Sequence, residues 1–117
     1  MKGQDLDVFK KSHALVLRIY EETKKFPSEE KYGLIFQMRR SASSVATNII
    51  EGSARKSKKE FGQFLNISSG SIEEIKYQLL LSKDLGYMGE EMYLELINEY
   101  IITSKMIFKL SKSLENK

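Results

Sequence analysis

Residues 57–82 read SKKEFGQFLNISSGSIEEIKYQLLLS, and this stretch decides the fold. Ser57-Lys-Lys-Glu60 is a capping box, in which the serine hydroxyl and the glutamate side chain each satisfy a backbone donor that a helix start leaves orphaned. Phe61, Leu65, Ser68, Ile72, Ile75, Leu79 and Ser82 then recur at steps of 4, 3, 4, 3, 4 and 3. That spacing lays one seam along a helix and suits a bundle crossing near 20°. Leu85-Gly86-Tyr87 supplies the glycine stop.

Working outward, three more segments carry helical periodicity. The first, residues 7–25, presents Phe9, Ser12, Val16, Ile19, Thr23 and Phe26 on one face. Phe26-Pro27-Ser28 breaks it, and Ser28 with Glu29 and Glu30 reads as the capped start of a second helix. This helix has a stripe of Ile35, Met38, Ala42, Val45 and Ile49 and ends at Gly52, a residue type suited to a left-handed terminus. The fourth starts near Gly89 and carries two stripes, one of Tyr93, Leu96, Tyr100, Thr103, Ile107, Leu110 and Leu114, the other of Leu94, Ile97, Ile101, Ser104 and Phe108. Its end, LSKSLENK, is expected to fray. Four amphipathic helices with short connections predict an all-α, antiparallel up-down-up-down four-helix bundle.

At 117 residues the chain is expected to form a single domain, 1–117. No cysteine is present, so disulfides, thiolate metal sites and cysteine nucleophiles are excluded. MKGQDLDVFKK lacks the apolar core of a signal peptide, and no window reaches the length of a membrane span. A cytoplasmic protein without membrane contact is the expectation.

Catalytic constellations find few members. His13 is the only histidine, which removes the usual general base and the Glu-x-x-His pairs of di-metal bundles. Glu21/Glu22, Glu29/Glu30, Glu73/Glu74 and Glu90/Glu91 are adjacent residues, which diverge by about 100° on a helix and cannot share a site. No phosphate-loop glycine pattern occurs. No catalytic residue, metal or cofactor is expected, and the protein reads as no enzyme. Asn48, Glu51 and Arg55 are expected to tie the second helix end to the turn or to the third helix.

Charge supplies the functional signal. Residues 31–60 hold seven basic side chains against two acidic ones, a net +5 within a chain of net +3. Arg55, Lys56, Lys58 and Lys59 concentrate this charge on one turn and the start of the third helix. They are the candidate nucleic-acid-binding residues, by phosphate contact. The bland reading is a solvated corner, and no aromatic is interleaved in sequence as single-strand binders require. Apolar residues outside any single seam, Phe36, Ile50, Leu94, Ile101 and Phe108, predict a homo-oligomer interface.

The motifs FPxEExYGL (Phe26–Leu34), QxRR (Gln37–Arg40), NIxEGxxR (Asn48–Arg55), EFxxFL (Glu60–Leu65), GSxxE (Gly70–Glu74) and LGY (Leu85–Tyr87) resemble, in this order, the family associated with intervening sequences in bacterial 23S ribosomal RNA genes. The resemblance implies a four-helix bundle, a homopentameric ring, and kinship with the nucleic-acid-binding accessory proteins of diversity-generating retroelements. It implies no defined enzymatic activity. Together these readings give a non-enzymatic homo-oligomer that contacts RNA or DNA through a basic surface repeated by symmetry. The alternative is a purely structural or protein-interaction oligomer.

Overall fold

The computed structural model describes residues 2–115. Its helices are α1 (Asp7–Thr23), α2 (Leu34–Ser53), α3 (Lys58–Asp84) and α4 (Glu90–Glu115), with 3-10 turns at Gly3–Asp5 and Ser28–Glu30. Among the described residues there is no strand. Each helix packs against its neighbours in sequence, and α4 closes the set against α1. The contacts fix the directions. Ser68 Oγ donates to Val45 O and Ser82 Oγ to Met38 Sδ, so α3 climbs as α2 descends. Arg18 reaches Met92 and Glu95, while Lys11 reaches Glu99, so α1 and α4 also run opposite ways. The result is an antiparallel rod of 47 × 24 × 20 Å.

α3 forms where the sequence places it. Glu60 N–H donates to Ser57 Oγ at 3.1 Å, the serine half of the box, while the Glu60 carboxylate takes the Ser57 hydroxyl at 3.3 Å in place of the expected backbone donor. Of the seven seam positions only Phe61 is half-buried, and the other six are wholly buried. Each large apolar member contributes on the order of 1.5–3 kcal/mol. Gly86, at φ 81°, ends the helix, with Gly86 N–H on Lys83 O and Tyr87 N–H on Ser82 O, the paired bonds of a Schellman cap.

α2 departs from expectation at both ends. Ser28 starts only a 3-10 turn with no side-chain cap, and α2 begins at Leu34. Its capping acceptor is Glu30, whose Oε1 takes the Leu34 N–H at 3.1 Å and whose Oε2 takes the Tyr87 hydroxyl at 3.0 Å. That bond, then burial, raises the Tyr87 pKa. Gly52 is not a left-handed terminus: it lies inside α2, buried, where Phe61 and Phe64 press on it so closely that a Cβ would stand 2.7 Å from Phe64 Cβ.

α1 buries Val8, Ser12, Leu15, Ile19 and Thr23, while Phe9 and Val16 are half-buried flanks. The predicted stripe holds at Ser12, Ile19, Thr23 and Phe26, and because α1 faces both α2 and α4 its core face widens to take in Val8 and Leu15. α4 uses its two stripes as predicted: Leu96, Tyr100, Thr103 and Ile107 are buried, and Leu94, Ile101 and Phe108 are exposed. Its end stays helical through Glu115; Asn116 and Lys117 of the expected frayed segment lie outside the described residues. No described helix is long and apolar enough to cross a membrane.

Candidate nucleic-acid interface

The turn after α2 is positioned by the contact of Gly52 with Phe61 and Phe64, and the Ser57 cap sets where α3 begins. Arg55, Lys56, Lys58 and Lys59 are all exposed. Among the described residues none of the four makes an ion pair. They do not converge on one pocket. The Arg55 guanidinium turns back to lie 4.8 Å from the Phe64 ring centroid. Lys58 and Lys59 line a cleft of about 410 Å³ between α3 and α4, with Gln63, Asn66, Ser111 and Glu115. The cations therefore spread over the end of the bundle. The positive end of the α3 dipole lies beneath them and adds to the potential.

Sequence position alone hid a larger pattern. The half of the rod made by residues 2–15, 44–71 and 103–115 carries ten basic against five acidic side chains, a net +5. The other half, residues 16–43 and 72–102, carries eight basic against eleven acidic, a net −3. Lys105, Lys109 and Lys112 of α4 bring charge to the corner's end of the rod that no local run in the sequence reveals. Such end-to-end separation steers a polyanion to one end.

The other polar candidates are engaged elsewhere. Asn48 Nδ2 donates to Ser44 O at 2.9 Å and to Ser44 Oγ at 3.0 Å, and Ser71 Oγ donates to Ser44 Oγ. The expected tie of the second helix end to the third helix is made by Ser71 on Ser44, which Asn48 holds within α2, and by Arg55 on Phe64, while among the described residues Glu51 and Arg55 form no ion pair. Arg39 is structural: its Nε donates to Thr23 Oγ1 at 2.9 Å and its guanidinium covers the Tyr20 ring at 4.4 Å. His13 is exposed and stacks on Phe9. No group of three or more acidic or histidine side chains among the described residues could hold a metal ion.

Of the predicted interface residues, Phe36, Leu94, Ile101 and Phe108 are exposed, by 55%, 56%, 36% and 64%. Ile50 is half-buried beside the N-terminal turn, where its Cδ1 is close to Gly3. α2 and α4 lie diagonally across the bundle and do not pack on each other. Phe36 and the α4 stripe therefore occupy opposite sides of the rod.

A family model described as 23S rRNA-intervening sequence protein matches residues 4–109. The chain belongs to that family. Among solved structures, this family member is similar to a protein of unknown function from the S23 ribosomal protein family of Bacteroides thetaiotaomicron VPI-5482. The identity is 26%, over 96% of this chain and 99% of that one, with a TM-score of 0.83. No curated protein matches.

Proposed function

We propose that this member of the 23S rRNA-intervening sequence protein family is a non-enzymatic, self-associating bundle of the cytoplasm that contacts RNA or DNA through its basic end. The observation that carries the reading is the end-to-end charge separation, with Arg55, Lys56, Lys58 and Lys59 exposed and, among the described residues, without ion pairs at the positive end. One corner offers few phosphate contacts. A homo-oligomer, five copies in a ring by the family resemblance, repeats it, and linked weak contacts gain a high effective concentration on one polyanion. The exposed apolar sites on opposite sides of the rod support this assembly, since a ring closes through heterologous contacts of one face with a different one.

The stacking of Arg55 on Phe64 favours a second reading, a structural or protein-interaction oligomer whose corner is solvated. A mobility shift separates the two. Nuclease-treated protein should retard structured RNA or duplex DNA at physiological salt; the absence of any shift, even at low salt, selects the structural reading.

A further inference from the structure

We infer that the cleft between α2 and α3 at the middle of the rod binds a free α-amino acid with an apolar side chain, its carboxylate on Arg40 and its ammonium on Glu74 and Gln78. The cleft has a volume of about 350 Å³, at the small end of the range for small-molecule sites. It lies apart from the basic corner and takes nothing from the charge of that end, so it stands or falls independently of the proposed nucleic-acid contact.

The two walls carry opposite chemistry. On α2, Gln37, Ser41 and Ser44 follow one another at helical steps of 4 and 3 with Arg40 beside them, a wall of donors and one cation. On α3, Glu74 and Gln78 lie one turn apart on the face that also holds Ile67 and Ser71. Ser71 Oγ donates to Ser44 Oγ at 2.8 Å and ties the walls together. With Ser82 beside Met38, this bond sets Arg40 level with the turn from Glu74 to Gln78. Arg40 and Glu74 are both exposed on the same cleft, yet among the described residues neither makes an ion pair. Gln78 is nine-tenths buried, and its Oε1 has no hydrogen-bond partner among the described residues. A buried carbonyl oxygen without a donor is a standing cost that a ligand N–H removes. The Ser44 hydroxyl already accepts from Asn48 and Ser71, so its hydrogen is left to donate.

These groups select the ligand by exclusion. An anion alone leaves Glu74 facing it, a cation alone leaves Arg40 facing it, and a neutral molecule leaves both charges unmatched. The ammonium and carboxylate of an α-amino acid sit on one carbon and answer both walls at once, the ammonium donating to Glu74 and Gln78 Oε1 and the carboxylate accepting from Arg40 and Ser41. Among the described residues no aromatic side chain lines the cleft, so a nucleobase finds no stacking platform. Ile67, 51% exposed, lies at the end beyond Ser44 and Ser71, and a ligand side chain running that way meets an aliphatic surface. A bound amino acid touches both helices and clamps α2 to α3.

An NMR titration of the full chain with L-leucine tests this, read at the side-chain amides of Gln37 and Gln78. Both should shift saturably at millimolar ligand. Isocaproate, which lacks the ammonium, and isoamylamine, which lacks the carboxylate, should each bind at least roughly tenfold more weakly, as expected for loss of one charge-assisted hydrogen-bonded contact. Arg40→Gln and Glu74→Gln, both at exposed positions and confirmed helical by circular dichroism, should each weaken leucine binding by a similar factor. The bound ligand should also raise the thermal midpoint of wild type in proportion to its occupancy, and this rise should be lost in both variants. The inference is overturned by the absence of saturable shifts, by either analogue binding as tightly as leucine, by variants that bind like wild type, or by a nucleoside monophosphate shifting the same amides where leucine does not. None of these outcomes touches the reading of the basic end, which the mobility shift decides separately.

Discussion

Gly52→Ala is the substitution for which the structure gives the clearest competing terms. A Cβ at residue 52 would stand 2.7 Å from Phe64 Cβ and 2.9 Å from Phe61 Cδ1. Phe64 Cβ is tied to the α3 backbone, so no side-chain rotation relieves the closer contact and the start of α3 must move. Overpacking of this kind costs about 1–3 kcal/mol. Against it, alanine gains roughly 1 kcal/mol over glycine inside a helix, and less toward its end. The clash wins, and a net loss of about 1 kcal/mol is expected. Gly70→Ala is the matched control: Gly70 sits within α3 with nothing within 4 Å of an added Cβ, so it should gain up to about 1 kcal/mol. Urea unfolding of the two variants beside wild type should separate their free energies by about 2 kcal/mol, with shifts of opposite sign. Equal stabilisation by both would refute the close approach of α2 and α3, and with it the account of how the basic turn is held.

Three further outcomes follow from single contacts. Ser57→Ala should cost on the order of 1 kcal/mol in chemical denaturation through loss of the α3 cap; an unchanged midpoint would mean that α3 starts elsewhere and that Lys58 and Lys59 project differently. Tyr100 has a buried hydroxyl with no partner among the described residues, so Tyr100→Phe should leave stability at pH 7 unchanged or raised by up to about 1 kcal/mol. Burial also pushes the Tyr100 phenol well above its usual range. Its contribution is full below about pH 10 and is lost as pH rises further, so the phenylalanine variant should fall less steeply than wild type in alkaline urea melts. Equal alkaline slopes would show that this phenol does not govern the loss.

The α3 seam was legible because the capping box and the 4-3 spacing name the same helix, and tertiary packing had only to accept it. The start of α2 was not, since Ser28-Glu29-Glu30 satisfies every local sign of a capped first turn. What displaces the start to Leu34 is Glu30 reaching forward to Leu34 N–H while Tyr87, 57 residues away, holds its other oxygen. Gly52 misled for a related reason: sequence shows a glycine near a helix end, and only packing shows two phenylalanines pressed on it. Exposure of the corner cations could be read from their run. The Arg55–Phe64 stack could not, because the aromatic lies two turns into the next helix, nor could the lysines of α4 that join the same end of the rod.

The central claim is that nucleic acid is held by the basic end, and the salt dependence of binding tests it most directly. Affinity of wild type for structured RNA and duplex DNA should be measured beside a variant with Arg55, Lys56, Lys58 and Lys59 all changed to glutamine, with helicity and oligomer mass confirmed equal. Each phosphate neutralised on a duplex steepens the fall of log affinity with log salt by about 0.9. Wild type should lose affinity steeply as salt rises, and the variant should bind almost nothing at physiological salt and show a slope shallower by several units. A variant that binds as tightly as wild type with the same slope, or a wild type that binds neither polymer at low salt, would contradict the account.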